Sequence, residues 1–496
     1  MKTIYLAQPK HSSWNHFFKP ALGGLCLASA LALLGPLPAD AAAAKSISVE
    51  QTIPVKTEWS ENWQPEVRDT LQELCSQYGK NAANYKENRH PYAVLDFDDT
   101  TSIGNVQEQL MIWQLDHLAF AISPETMKSV LQTGISKKGL EMTYGAADGK
   151  GRSVRIGDAI EDAARAYAVL YNQGLIHTRG SVLAPEVKEQ PEYQEFVGKM
   201  RWLYDAVSQN MDASVSCPWV TYWFTGMHPL DVYTIAYDCD SFYGDPKKGQ
   251  TWNTGTYTTP MTGAAGQVSV SYKNGITVTP EMRELYANFH KNGIDAWILS
   301  SSSTDVVRAA VDYFKIKGVS GTAAMMNQLD KNQRYTNAYD DDLHPQTQGA
   351  GKTATINKMF RKHYKGAGPI FCAIDAQEDF NFATEYRDTK AVLVMNRCHE
   401  DDAALCAGIA SYQQARHITL AKANAAGDAK FLLQGRNENT GKLWPDTATL
   451  QLGQDEPQLL SDKAEKAVQQ LEKGMSIKEV LQRDAHLKEY KGYKSM

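Results

Sequence analysis

Short apolar runs that end in charged or hydroxylated residues recur along this chain, and each reads as a buried strand delivering a reactive side chain at its C-terminal end. Tyr92-Ala93-Val94-Leu95 runs into Asp96, Ala296-Trp297-Ile298-Leu299 into Ser300, and Phe371-Cys372-Ala373-Ile374 into Asp375. Continuous apolar runs of this length suit strands covered on both faces, as in a parallel sheet. Elsewhere the period changes to that of helices. Ile156, Ile160, Ala164 and Tyr167 mark one helix, and Phe196, Met200, Leu203, Val207 and Met211 another, with the look of core faces. Val268, Val270 and Tyr272 alternate, Asn274-Gly275 offers a tight turn, and Ile276 and Val278 alternate again, which predicts a hairpin. Thr279 then caps a helix that has Pro280 in its first position and Met282, Leu285 and Phe289 on its inner face. After Gly293 come the strand ending at Ser300, a helix through Val307, Ala310, Val311 and Phe314, and another strand from Gly318-Val319.

Alternation of helix and strand from 279 to about 397 implies right-handed crossovers. The expected fold is therefore α/β, a Rossmann-like doubly wound parallel sheet. The strand at 92–95 has no neighbour of its kind nearby, so residues 103–277 read as a large, mainly helical cap inserted after the first core strand. On this reading residues 45–102 are an N-terminal segment with that strand, 278–400 the core, and 401–496 a polar extension of exposed helix or loose tail.

Composition is ordinary for a large globular protein, 43% hydrophobic and 22% charged. A net charge of -6 gives no basic field for a phosphate backbone, which argues against nucleic acid as a partner. Residues 1–44 read as a secretory signal, with Lys2, Lys10 and Lys19, an apolar run from Ala21 to Leu34, and the cleavage pattern Ala39-Asp40-Ala41. The run is shorter than the roughly 20 residues of a spanning helix. A periplasmic or secreted protein, free of the membrane after cleavage, is expected. Six of the seven cysteines follow the signal, and Cys217 with Cys239 and Cys398 with Cys406 are the local disulfide candidates.

The chemistry centres on Asp96-Phe97-Asp98-Asp99-Thr100. Alternate residues of an extended segment share a face, so Asp96 and Asp98 can address one reaction centre. Two carboxylates suit phosphomonoester hydrolysis, one attacking phosphorus and the other protonating the leaving oxygen before activating water. Ser300 can offer its hydroxyl to phosphate oxygens. Lys352, in Gly351-Lys352-Thr353, opens a helix and can neutralise phosphate and nucleophile. Asp375 supplies a hard oxygen donor for Mg2+, and Asp379 can hold a ligand or Lys352 in place. Trp219, Tyr222, Trp223 and Phe224 read as packing, and Asp340-Asp341-Asp342 with His344 as a solvated loop.

In that order, acid pair, strand-end serine, helix-start lysine and strand-end acids, the sequence resembles the haloacid dehalogenase superfamily over residues 93 to about 100 and 294 to about 397. The resemblance implies an aspartyl-phosphate mechanism with Asp96 as nucleophile and Asp98 as acid and base. Ser300, Ser301 and Thr100 would belong to the substrate-binding set with Lys352, and Asp96, Asp98, Asp375 and Asp379 to the Mg2+ site. Asp98 favours phosphatases over dehalogenases, which need no acid for halide. Ile374 replaces the glycine usual before Asp375. The segment Gly275 to Arg283, through Ser300, is also similar to secreted bacterial phosphorylcholine phosphatases, which implies a small-molecule phosphomonoester as partner. The competing expectations are a phosphoserine or broad-specificity phosphatase and a non-catalytic exported phospho-ligand-binding protein. A phosphate-loop ATPase is also conceivable from Gly349-Ala350-Gly351-Lys352-Thr353, but Gln346 stands where that loop needs glycine. The oligomeric state has no sequence signature.

Overall fold

The structure is a computed structural model that describes residues 59–496 except 147, 149, 249, 250, 343 and 488. The export signal read in residues 1–44 lies outside the described residues. Along the chain come β1 (Tyr92–Leu95), an antiparallel pair β2 (Asn253–Thr258) and β3 (Ser269–Asn274), then β4 (Asp295–Ser303) and β5 (Val319–Met325). A second antiparallel pair, β6 (Asn327–Leu329) and β7 (Tyr335–Tyr339), precedes β8 (Phe371–Ile374), β9 (Ala391–Met395) and β10 (Lys430–Gln434).

Six of these strands form one parallel sheet in the order β10-β9-β8-β1-β4-β5. Val94 pairs with Trp297 on one side and Cys372 on the other. The chain lays down β4 and β5 in one direction from β1, then returns past it to lay β8, β9 and β10 in the other. Strand order thus reverses between β1 and β8, and the crevice beyond the C-terminal strand ends at such a point is where open sheets of this kind bind ligands. The pleat divides the interior. Ala93, Leu95, Ile298 and Ala373 enter one hydrophobic core, while Tyr92, Val94, Leu299 and Ile374 enter a second on the opposite face.

Residues 103–277 are mainly helical, with long helices at Val106–His117, Ile156–Asn172, Pro191–Asn210 and Pro229–Tyr243 beside the β2–β3 pair. Their apolar faces continue the first core, and Trp219, Trp223 and Phe224 are fully buried in it as packing. The expected helix after Thr279 forms over Pro280–Lys291, and the Thr279 side chain accepts from Met282 N.

Three expectations need correction. The hairpin does not turn at Asn274-Gly275; β3 pairs with the upstream β2, and Thr277 bridges Ile103 instead. Gln109 explains this, since its side chain donates to Asn274 Oδ1 at 3.3 Å and accepts from Gly275 N at 2.8 Å, which ties the segment to the helix entering from β1. No disulfide joins the candidate pairs, and all six cysteines of the described residues are free thiols. Cys239 and Cys406 are buried in different cores, and Cys398 contacts Asn396 Oδ1 at 3.4 Å.

The last hundred residues are not a loose tail either. They supply β10, the edge of the sheet, and the helices Ala403–Ala415, Asp462–Glu472 and Ile477–Asp484 that cover the second core. Asp402, fully buried, fixes this region by accepting from Lys463 Nζ at 2.7 Å, His486 N at 2.8 Å and Leu487 N at 2.7 Å. Asp402→Ala strands a lysine and two backbone donors and should cost about 3 kcal/mol. Chemical denaturation reads this directly, and a variant within 1 kcal/mol or so of wild type would show that the strap is dispensable.

Candidate active site

Beyond Leu95 the chain carries Asp96 to Asp99 over the lip of β1. Phe97 is buried in the first core, which sends Asp96 and Asp98 the other way, toward the crevice. The turn then closes sharply: Asp99 has φ 59°, and Thr101 N and Ser102 N both donate to Phe97 O at 2.9 Å. A left-handed aspartate is uncommon and must be held in place. Gly104 N donates to its carboxylate at 3.0 Å, Arg397 Nη1 approaches Asp99 Oδ2 at 3.0 Å, and Arg436 Nη1 donates to its carbonyl at 2.6 Å.

Three strand ends and one helix converge on Asp96. Lys352, from the helix Ala350–Thr355, donates to Asp96 Oδ1 and, at 2.6 Å, to Asp379 Oδ1. Asp375, just past β8, accepts from Thr100 Oγ1 at 2.8 Å and Arg397 Nη1 at 2.9 Å. One carboxylate oxygen each from Asp96, Asp375 and Asp379 lie within 4.8 Å of one another. An all-oxygen anionic set of this kind fits Mg2+ and would suit zinc or copper poorly. The Asp98 carboxylate stands apart from this cluster. Its Oδ1 accepts from Val106 N at 2.7 Å, and its Oδ2 from Ser302 Oγ at 2.6 Å and Ser300 Oγ at 3.2 Å. The Asp98 side chain therefore does not join the three acids that could share a metal.

Electrostatics separate the two acids. Burial raises the Asp98 pKa to about 6, against the opposing hydrogen bonds from Ser302 and Val106. A carboxyl that titrates there can both give and take a proton near neutrality. Asp96 is also pushed well up, by burial first and then by the charge of Asp379. Burial disfavours the Lys352 charge, but Asp379 and Asp96 more than offset it and raise its pKa. Asp96, Asp375 and Asp379 face Lys352 and Arg397, and Arg397 is shared with Asp99, so the cluster remains short of positive charge, which a divalent cation would supply.

A cavity of about 480 Å3 opens over these groups. Sheet residues line its floor, and Tyr204, Met211, Cys217 and Val220 of the helical insertion line the rest. Cys217 is no nucleophile here, because burial pushes its thiol up to about 12. Ser301 and Ser302 face the cavity, whereas Ser300 is fully buried beneath them and Thr100 is occupied with Asp375. Both hydroxyls are directed at acids, Ser300 at Asp98 and Thr100 at Asp375. The run Ser300 to Ser303 signalled the first case, since alternate residues of a strand share a face and both Ser300 and Ser302 reach Asp98. Arg397, which follows β9, and Arg436 had no such signal. Half-buried His344 pairs with Asp340 at 3.2 Å.

The role of Ser302 has a measurable consequence. Its hydrogen bond favours ionised Asp98, so Ser302→Ala raises the Asp98 pKa further. The alkaline limb of kcat against pH should move to higher pH. An unmoved limb would mean that Asp98 does not set it.

No family model and no curated protein matches this sequence. Among solved structures the chain is similar to a conserved functionally unknown protein from Anaerococcus prevotii DSM 20548, at 25% identity and TM-score 0.66, over 82% of this chain and 100% of that one. Cytosolic 5'-nucleotidase IIIB bound to cytidine is matched at 10% identity over 67% of this chain and 78% of that one, with TM-score 0.27. A phosphoserine phosphohydrolase-like protein from Francisella tularensis subsp. tularensis SCHU S4 is matched at 11% identity over 62% and 87%, with TM-score 0.26. The first likeness extends over nearly the whole described fold; the latter two are too distant to bear on function.

Proposed function

We propose that this chain is an exported, Mg2+-dependent phosphomonoester hydrolase of the haloacid dehalogenase type. The observation that carries the proposal is the meeting of Asp96, Lys352, Asp375 and Asp379 at one point, with a separately held Asp98 beside them. The insertion acts as the cap that closes the catalytic cavity. Asp96 attacks phosphorus while protonated Asp98 gives its proton to the leaving oxygen, so the ester P–O bond breaks and an aspartyl phosphate forms on Asp96. Asp98, now ionised, takes a proton from water, whose oxygen attacks phosphorus and releases phosphate and the Asp96 carboxylate. Lys352 keeps Asp96 oriented and balances its charge throughout. Mg2+, held by Asp96, Asp375 and Asp379, would lower the repulsion between two anionic reactants. Ser301 offers its hydroxyl to the phosphoryl oxygens, while the Ser302 hydroxyl and amide stay engaged with Asp98 and Ser300.

Phosphorylcholine is one candidate substrate. The buried rings of Trp219 and Trp223 give it no support, whereas Glu108 and Tyr204 present a carboxylate and an aromatic ring to the cavity. Phosphate release from p-nitrophenyl phosphate, phosphorylcholine and phosphoserine, with Mg2+ and with chelator, tests the proposal. Release that chelator removes and Mg2+ restores supports it. Absence of release from every substrate would leave an exported phospho-ligand-binding protein.

A further inference from the structure

A second cavity, of about 360 Å3, abuts the catalytic one, and the two share Asp99, Asn105, Glu108 and Arg397 in their walls. The outer cavity is built differently from the inner. Trp252, just before β2, and Tyr272, within β3, line it, and Leu452 comes from the C-terminal region. The Trp252 indole is held tightly: a Cβ on Gly275 would come within 2.7 Å of it, and Gly441 approaches the same ring too closely to carry any side chain. Both glycines have positive φ, 128° and 64°. A rigid indole in the wall of a cavity is a stacking surface for a flat ring.

The junction between the cavities has complementary polar chemistry. Arg397 uses Nη1 on Asp99 and Asp375, which leaves its other guanidinium N–H groups without partners among the described residues. Glu108 accepts from Tyr204 on Oε1 at 2.9 Å, and its Oε2 is available. A guanidinium edge and a carboxylate oxygen, both in the walls that the two cavities share, suit vicinal hydroxyls, which accept from the first and donate to the second.

Resting on the phosphatase reading, we infer that the two cavities form one extended substrate cleft, with the outer cavity taking the flat ring of a phosphomonoester whose hydroxylated linker crosses the Arg397–Glu108 junction. Nucleoside monophosphates have this chemistry: phosphate at Asp96, sugar hydroxyls at the junction, base against Trp252.

The test compares kcat/KM for adenosine 5'-monophosphate, ribose 5-phosphate and p-nitrophenyl phosphate in wild type, Trp252→Ala, Trp252→Phe and Thr254→Trp. Thr254 is exposed on β2 and lines the outer cavity, so Thr254→Trp fills it without disturbing the packed indole. Wild type should favour the nucleotide over ribose 5-phosphate at least tenfold. Trp252→Ala and Thr254→Trp should each lower nucleotide kcat/KM at least ten times more than that of p-nitrophenyl phosphate, chiefly through KM, with recovery in Trp252→Phe. Equal preference for nucleotide and ribose 5-phosphate, a preference for phosphorylcholine over the nucleotide, or equal losses on all substrates would overturn the inference. Calorimetric titration of Asp96→Asn with the nucleotide separates the two readings. Binding that Trp252→Ala abolishes, in a protein that hydrolyses nothing, keeps the cleft and removes the phosphatase. Neither binding nor hydrolysis overturns both.

Discussion

Asp96→Asn should abolish phosphate release, lowering kcat by about 10^4-fold or more, the scale on which loss of a covalent nucleophile is felt. The amide keeps the shape of the carboxylate and an oxygen for Lys352, so the loss is chemical. Stability is pulled both ways: burial first, and the neighbouring Asp379 second, raise the Asp96 pKa and so penalise its charge, but the substitution also takes one of two counter-charges from buried Lys352. Asp379 keeps Lys352 paired, so the variant should still fold. Phosphate release and thermal unfolding on the same preparation decide the point. Activity within tenfold of wild type would place the nucleophile elsewhere.

Arg436→Met should have the largest structural effect of any single change near the site. Arg436 is fully buried; it donates to Asp99 O at 2.6 Å and Asp99 Oδ1 at 2.7 Å, and to Glu438 Oε1 at 2.6 Å. Its removal leaves two buried carboxylates short of a counter-charge, a loss of about 3–5 kcal/mol. The pH dependence follows from Asp99. Burial would raise its pKa, but Arg397 and Arg436 together hold it well below the usual carboxylate range. A depressed acid stabilises the fold above its unfolded pKa and loses that contribution as pH falls through the folded one. The deficit of Arg436→Met should thus be full at neutral pH and shrink below about pH 3.9. Urea unfolding across pH measures it, and pairing with Glu438→Leu should recover part of it. A pH-independent deficit would point to lost packing instead of lost charge.

Much of this arrangement was legible in the sequence because its strands are buried on both faces. Residues 92–95 and 371–374 are uninterrupted apolar runs, and the acids that follow them can only emerge at the strand ends. The partner of β3 escaped because Asn253-Thr254-Gly255-Thr256-Tyr257-Thr258 carries almost no apolar alternation and pairs chiefly through its backbone. β10 escaped because Lys430 and Gln434 bracket three apolar residues, yet both polar side chains are buried, Lys430 on Glu66 at 2.8 Å and Gln434 on Trp444 O at 2.8 Å. Local pattern reports the exposed or buried habit of a residue type and is blind to a polar group satisfied by a distant partner. Arg397 and Arg436 were hidden for the same reason, since their contacts with Asp375 and Asp99 span 22 and 337 residues.

That last separation governs the order in which the site can be completed. Synthesis delivers Asp96 to Asp99 early and Arg436 some three hundred residues later, so the left-handed turn beside Asp96 has only the local Gly104 hydrogen bond to hold it while most of the chain is being made. Contacts of such long range pay their closure entropy last and form late. On the proposed reading, a nascent chain would accordingly hold every acid of the site before it could act, and competence would arrive when the segment carrying Arg436 docks.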